Sequence, residues 1–397
     1  MEISLLQAFA LGIIAFIAGL DMFNGLTHMH RPVVLGPLVG LVLGDLHTGI
    51  LTGGTLELVW MGLAPLAGAQ PPNVIIGTIV GTAFAITTGV KPDVAVGVAV
   101  PFAVGSWLPT TVTAPLNTIH AALKRIAQRC QRGGPSAQVL GSYLEGPYFT
   151  PQNKGAHPPE LFRELEIAEL DQLIAVSQHT LRVVALAPEK EGALLAIRHL
   201  KQQNVRVMLG HSAATWQQTR AAFDAGADGL VHCYNGMTGL HHREPGMVGA
   251  GLTDKRAWLE LIADGHHVHP AAMSLCCCCA KERIVLITDA MQAAGMPDGR
   301  YTLCGEEVQM HGGVVRTASG GLAGSTLSVD AAVRNMVELT GVTPAEAIHM
   351  ALLHPARMLG VDGVLGSLKP GKRASVVALD SGLHVQQIWI QGQLASF

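Results

Sequence analysis

The uneven distribution of charge along the chain constrains its fold more than any single motif. Residues 1–106 carry only Glu2, Asp21, Arg31, Asp45, Glu57, Lys91 and Asp93, while 24 of the 26 lysines and arginines and 24 of the 29 acidic residues lie downstream. A mean hydropathy of +0.35 with 14% charged residues is too apolar for an ordinary soluble enzyme of 397 residues. The apolar excess therefore belongs to the first quarter, and the chain joins a membrane-compatible segment to a soluble one. They meet in VGVAVPFAVGSWLPTTVTAP, residues 96–115, without a linker. Charge downstream is balanced, so there is no basic stripe to neutralise phosphate backbones, and nucleic acid is not an expected partner. All seven cysteines follow Arg129, four of them as Cys276 to Cys279, which suits a reducing compartment. Cys276 and Cys279 form a CxxC pair, but no second pair stands at a finger-like spacing, and small buried thiols on a helix explain the run as well.

Residues 4–20 form a nearly uncharged run of the length that begins to span a bilayer, and the runs at 33–44, 74–90 and 94–104 are shorter and broken by Gly or Pro. No short basic segment precedes a small-residue cleavage site, so a removable signal peptide is not expected. Asp21 and Asp45 admit two readings, functional carboxylates inside a membrane or segment ends in water. Glu57, inside GGTLELVWMG, is the stronger functional candidate because both its flanks are apolar. The surrounding PLVGLVLGDLHTGILTGGTLELVWMGLAPLAGAQPPN resembles the start of the membrane component IIC of mannose/sorbose-family sugar phosphotransferase systems, closest to the N-acetylgalactosamine-specific members. That resemblance implies that residues 1–105 are the opening transmembrane helices of a sugar-translocating component. It further implies a bacterial inner-membrane location, other phosphotransferase components as partners and Glu57 as a candidate sugar site.

From Trp107 onward, apolar strand-like runs alternate with amphipathic helical stretches, the pattern of a parallel sheet. Strands are expected at SWLPTT, AQVLGSYLE, LRVVALA, VRVMLGH, DGLVH, WLELIAD and RIVLITD. Seven strands are one short of a closed (β/α)8 barrel. The expected fold is thus α/β: an incomplete TIM barrel lacking its first strand over residues 106–360, a partial β-sandwich over 361–397, and transmembrane α-helices before both. Glu145, His211, His232 and Asp289 all fall at C-terminal strand ends, where barrel active sites are built. A carboxylate and two imidazoles supply three ligands for a divalent metal, with one position open for water, and Asp289 is placed to accept a proton.

The stretches YLEGPYF, GHSAATW, VHCYNGM, HHREPGMVGAGL, ADGHHVHP, LITDAMQAAG and GGLAGSTL together resemble the N-acetylglucosamine-6-phosphate deacetylases of the amidohydrolase superfamily, and more closely their N-acetylgalactosamine-6-phosphate counterparts. The resemblance implies that Glu145, His211 and His232 bind the metal, usually zinc, and that Asp289 moves a proton from the attacking water to the departing amine. His157, after Ala156 in NKGAH, corresponds to a histidine that polarises the acetyl carbonyl. Asn235 and Gly236 correspond to substrate contacts. Arg243 and His267 correspond to groups that hold the sugar 6-phosphate, the arginine across a homodimer interface, and Leu322, Ala323 and Gly324 line the same pocket. A phosphate suits a guanidinium fork, although an ion pair with Glu244 is an equal reading of Arg243 from the residues alone. His28 and His30 form an HxH inside the membrane-like segment, but no strand with an aspartate precedes them, and a metal role is not expected. His267 and His269 form another, at a position where the family contacts substrate.

The segment GSLKPGKRASVVAL with VQQIWIQGQ is similar to the β-sandwich that caps amidohydrolases, and Ser375 stands where Asp or Asn is usual, a change expected to affect a turn. SWLPTT matches the second barrel strand of the family. The IIC-like segment therefore stands in place of the first strand, its helix and the N-terminal sandwich strands. The function implied is metal-dependent removal of the acetyl group from an N-acetylhexosamine 6-phosphate, with the truncation expected to lower or abolish turnover. The alternative is a sugar-transport component carrying a passive deacetylase-like tail.

Overall fold

The computed structural model describes residues 4–24, 31–61, 79, 82, 105–132 and 137–394, with side chains unplaced at 19–24, Thr55 and 57–61. One compact unit is built on residues 1–102 with 292–297, and another on residues 103–291 and 298–394.

The first unit contains α1 (Leu5–Asn24), α2 (Pro32–Leu43) and α3 (Leu46–Met61). Helix α2 begins with a proline, whose missing N–H costs nothing there, and ends at Gly44 in the left-handed conformation (φ 83°). Asp45 caps α3, accepting from Thr48 N at 3.0 Å and Thr48 Oγ1 at 2.7 Å, so a structural role accounts for this carboxylate. Gly36 and Gly40 of α2 face Gly49 and Gly53 of α3 so closely that a Cβ on Gly36 would lie 2.5 Å from Gly49 O. Backbone contact of this kind is how helices associate where the hydrophobic effect does not drive packing.

Among the described residues no helix is long and apolar enough to cross a membrane. Helix α2, with 12 residues, reaches about 18 Å at 1.5 Å per residue, short of a hydrocarbon core of about 30 Å. The side chains described on α1 end at Ala18. Asp21 and Glu57 fall on the backbones of α1 and α3, but their side chains lie outside the described residues, as do His28 and His30 entirely.

In the second unit β1 (Ser106–Trp107) pairs in parallel with β3 (Gln138–Val139). The main sheet contains β2 (Thr110–Thr111), β4 (Ser142–Glu145), β5 (Leu181–Leu186), β6 (Arg206–Leu209), β7 (Gly229–Leu230), β8 (Trp258–Ile262) and β9 (Ile284–Ile287), in that order and all parallel. These are the seven strands expected from the sequence. Among the described strands β2 and β9 are the open edges.

The crossovers run through α4 (Leu116–Arg132), α5 (Ile167–Val176), α6 (Ala193–Gln202), α7 (Trp216–Ala225), α8 (Gly246–Thr253) and α9 (Pro270–Ala280). Helix α4 shows the stripe that a sheet-covering helix needs, burying Ile119, Leu123 and Ala127 at four-residue spacing. The strands are apolar on both faces. In β5, Val183 and Ala185 join Tyr143, Met208, Val231 and Val285 on one face, while Val184 and Leu186 pack on the other with Leu144, Leu209, Leu230 and Leu261. On the edge strand β9 the buried His354 donates from Nδ1 to Ile284 O at 2.7 Å, which satisfies a carbonyl that would otherwise be costly to bury.

A three-stranded antiparallel sheet follows, of β10 (Gly299–Leu303), β11 (Glu306–His311) and β12 (Val314–Thr317). Then come α10 (Val329–Thr340), α11 (Pro344–Ala351) and α12 (Leu353–Met358). The chain closes on the antiparallel β13 (Val376–Leu379), β14 (Val385–Ile390) and β15 (Gln393–Leu394). Ser375 Oγ accepts from Gln391 N at 3.3 Å in the turn between β14 and β15, in line with the expected turn role.

Candidate metal centre

Three strand ends converge on one point. Glu145 is the last residue of β4, His211 follows β6 by two positions and His232 follows β7 by two, and all three are buried. Glu145 Oε1 lies 3.3 Å from His211 Nε2 and 3.0 Å from His232 Nε2, and the two Nε2 atoms are 3.0 Å apart. This is the only cluster of three metal-capable side chains among the described residues. Cys276 and Cys279 belong to no such group: Cys276 is buried in α9 and Cys279 is exposed. Backbone conformation aims the side chains. His211, His232 and Asp289 all take positive φ (46°, 27° and 50°), which costs a residue with a Cβ about 1–2 kcal/mol and persists only where the surroundings enforce it.

The hydrogen bonds fix the tautomers. His211 donates from Nδ1 to Asn153 O at 2.9 Å, and His232 from Nδ1 to Asn235 O at 3.1 Å. Each Nε2 can then offer its lone pair to the centre of the triangle, as metal-binding histidines do. Around an ion held at about 2.0–2.1 Å, tetrahedral ligand atoms lie about 3.3 Å apart, close to the observed edges. Electrostatics agree. Burial alone would raise the Glu145 carboxyl, but His211 and His232 outweigh it and hold it well below the usual carboxylate range. Burial likewise disfavours a charge on His232, yet Glu145 pushes it up to about 9, so a positive charge is favoured between the carboxylate and the rings. The residues present fit a divalent cation.

Two glycines make room for His211. Gly155 (φ 58°) and Gly236 (φ 58°) flank its ring, and a Cβ on either would lie 2.9 Å from a ring atom. His157, expected from the sequence, is buried with its ring 4.5 Å from that of His211. Its Nδ1 accepts from Thr113 N at 3.3 Å and lies 2.9 Å from Thr113 Oγ1, leaving Nε2–H free to donate. Burial, reinforced by His211, lowers His157 to about 3, so it is a neutral donor at physiological pH. Asp289 follows β9 by two positions, and burial together with the charge of Glu145 pushes it up to about 6.

The other expected residues sit as follows. Ala156 is half-buried beside His157. Asn235 and Gly236 shape the turn after His232, with Asn235 Nδ2 donating to His232 O at 3.3 Å. His267 donates from Nδ1 to Asp264 Oδ2 at 2.6 Å, whose Oδ1 also accepts from His266 N and His267 N at 2.8 Å each. Leu322 bridges to Arg316 across the hairpin, Ala323 is buried, and Gly324 lies beside Asp289, where Ser325 N donates to Asp289 O at 2.8 Å. Arg243 is exposed on the loop between β7 and α8, its guanidinium 2.6 Å from His242 Nε2, and it does not reach the buried cluster. His269, second of an HxH pair, caps α9 by accepting from Ala271 N at 3.1 Å.

Sequence reading missed Thr113, Asn153, Glu189, Asp264 and the pair Tyr143–Glu260. Asp264 was findable, since an aspartate three residues before a histidine can turn back on it. Glu260, buried in β8, accepts from Tyr143 Oη at 3.2 Å, and burial, with Glu145 adding, pushes it up to about 8, so it is largely protonated near neutral pH. No local sequence signal marks it.

Residues 106–395 match the model of the amidohydrolase family, and residues 5–143 match that of the sorbose-specific IIC component of the phosphotransferase system. The matches overlap at 106–143, a stretch that contains β2 and the start of β4, both strands of the seven-stranded sheet. The chain is 99% identical over 294 residues, 74% of its length and 78% of the relative's, to N-acetylgalactosamine-6-phosphate deacetylase of Escherichia coli O157:H7. It is 82% identical over 130 residues, 33% of its length and 93% of the relative's, to a proposed N-acetylgalactosamine permease IIC component of Escherichia coli (strain K12). Among solved structures, N-acetyl-D-glucosamine-6-phosphate deacetylase from Mycobacterium smegmatis superposes with a TM-score of 0.69 at 35% identity, covering 73% of this chain and 77% of that one.

Proposed function

Because the chain belongs to the amidohydrolase family through residues 106–395 and to the sorbose-type IIC family through its N-terminal part, we propose that it removes the acetyl group from an N-acetylhexosamine 6-phosphate, N-acetylgalactosamine 6-phosphate before its gluco epimer. The products are the amino sugar 6-phosphate and acetate. The observation that carries this reading is the convergence of Glu145, His211 and His232, with both Nδ1–H groups spent on backbone carbonyls.

Glu145, His211 and His232 would hold a divalent metal, zinc by its ligand set. Bound there, the metal supplies Lewis acidity and a water that ionises near neutral pH. Asp289 takes a proton from the attacking water and delivers it to the amide nitrogen as the C–N bond breaks. His157, neutral and with Nε2–H free, donates to the acetyl carbonyl oxygen and stabilises the charge that develops there. Leu322, Ala323 and Gly324, tied to the Asp289 backbone through Ser325, wall the pocket, and Asn235, Gly236 and Ala156 face the sugar. His267, oriented by Asp264, binds the 6-phosphate. Arg243 binds it from the partner subunit of a homodimer, which accounts for its exposure on one chain.

The domain plan is a IIC-derived segment over 1–105, a barrel over 106–360 and a sandwich remnant over 361–397. Residues 1–105 attach the chain to the bacterial inner membrane, where other phosphotransferase components are available as partners, and Glu57 marks the sugar site of the ancestral transporter. The barrel part faces the cytoplasm. Deacetylation of both epimers by the purified full chain with added zinc, lost in Asp289→Asn, tests the reading. Release of acetate that does not depend on zinc or on Asp289 would overturn it.

A further inference from the structure

Glu189 lies beyond the end of β5, outside the Glu145–His211–His232 cluster, yet its carboxylate ties the segment that follows His211 to the loop carrying Thr150. Its Oε1 accepts from Thr150 Oγ1 at 2.7 Å and from Ala213 N at 2.7 Å, and its Oε2 accepts from Ser212 Oγ at 2.6 Å. Two of these donors directly follow His211, whose backbone is held at positive φ. The third, Thr150, donates through its own N–H to His211 O at 3.2 Å. The network continues inward. Ser212 is fully buried, its N–H donates to Gly236 O at 3.0 Å, and its carbonyl accepts from Asn153 Nδ2 at 2.7 Å. Asn153 in turn accepts the Nδ1 proton of His211.

A residue held in the left-handed region relaxes unless its neighbours fix it. Here one side chain holds the two residues that follow His211 and, through Thr150, the loop that binds the His211 carbonyl, and a carboxylate suits the task because it offers only acceptors to three donors. We propose that Glu189 is a positioning residue that holds His211 in its ligating orientation without touching metal or substrate. The inference rests on the metal-centre reading above. Ligand-orienting partners of this kind are worth about 10- to 100-fold in metal affinity.

The test compares the purified full chain with Glu189→Ala and Glu189→Gln, measuring zinc affinity by competition with a chromophoric chelator and the thermal midpoint of each chain without metal. Glu189→Ala is expected to weaken zinc about 10- to 100-fold. Glu189→Gln, which keeps an acceptor for Thr150 and Ala213 while Ser212 Oγ can turn to accept, should recover most of that loss. A lowered midpoint with unchanged zinc affinity in Glu189→Ala would mean a merely structural role and would overturn the proposal. If the unsubstituted chain binds no zinc, the metal-centre reading fails by itself, and the slowly exchanging His211 Nδ1 proton in an NMR spectrum decides for Glu189. Its loss in Glu189→Ala supports the positioning role, and its persistence refutes it.

Discussion

The Nε2 atoms of His211 and His232 stand 3.0 Å apart, each with its Nδ1 proton committed to a backbone carbonyl. Beside the Glu145 carboxylate this arrangement favours a positive charge between the rings, which a proton on His232 or a bound divalent cation can supply. His211→Ala or His232→Ala is therefore expected to reduce zinc affinity by more than the roughly 10- to 100-fold typical of an outer partner. Equilibrium dialysis with metal analysis checks this; either variant binding zinc as tightly as the unsubstituted chain would count against the site.

Gly236 and Gly155 do for the His211 ring what no larger residue can. An added Cβ meets the ring at 2.9 Å, and the positive φ of each adds about 1–2 kcal/mol for any residue with a Cβ. Gly236→Ala is expected to lower the thermal midpoint and zinc affinity together. Calorimetry of the chain with and without zinc separates the effects, and an unchanged midpoint in both forms would show that the ring has room to move.

Asp289 sets an expected pH limb. Burial and the charge of Glu145 raise its carboxyl to about 6, and a bound cation would draw it down again. In the proposed mechanism its ionised form is the base, so kcat/KM should fall as pH drops through a midpoint at or below about 6. A pH profile of kcat/KM whose acid limb lies well above 6 would assign it to another group. Asp289→Asn should cost about 10²- to 10⁴-fold, the range for a lost acid–base group.

A second pH dependence concerns stability. Asp254 is held at about 2, chiefly by its hydrogen bond with Arg256, with Arg220 adding at 3.3 Å and burial opposing. The folded value lies below the usual aspartate value of about 3.9, so this contribution is fully present above about pH 4 and is lost as pH falls through 2. Asp254→Asn should lower the thermal midpoint at pH 7 and lower it less near pH 2. Equal losses at both pH values would show that packing, not the ion pair, dominates.

Much of the barrel was legible because its strands are short apolar runs that end in chemistry-bearing residues. Glu145, His211 and His232 are expected at strand ends in this way, and the structure brings their side chains together there. Thr113, Asn153 and Glu189 were not, since they act through backbone groups distant in sequence, and nothing near Glu189 in APEK announces Ser212 as its partner. Asp45 was ambiguous for a related reason: a carboxylate between apolar runs reads alike whether it meets a ligand or caps a helix, and only the bonds to Thr48 show the cap. Arg243 was expected at the phosphate, yet on one chain it touches its neighbour His242, because a loop residue's direction is not written in its spacing.

The open sheet bears on turnover. Among the described strands β2 and β9 are the two edges of a sheet whose order, β2-β4-β5-β6-β7-β8-β9, follows a barrel with one strand lacking between them. The proposed ligands Glu145, His211 and His232 lie at or just beyond the ends of β4, β6 and β7, none of them an edge strand, so metal binding should survive. Asp289 follows the edge strand β9 and is the group most exposed to its loosening. The full chain is therefore expected to bind zinc near stoichiometrically while turning over N-acetylgalactosamine 6-phosphate far more slowly than its 99% identical relative, assayed side by side. Equal rates would show that Asp289 is held without the eighth strand. Loss of zinc together with activity would place the damage at the ligands rather than at the edge.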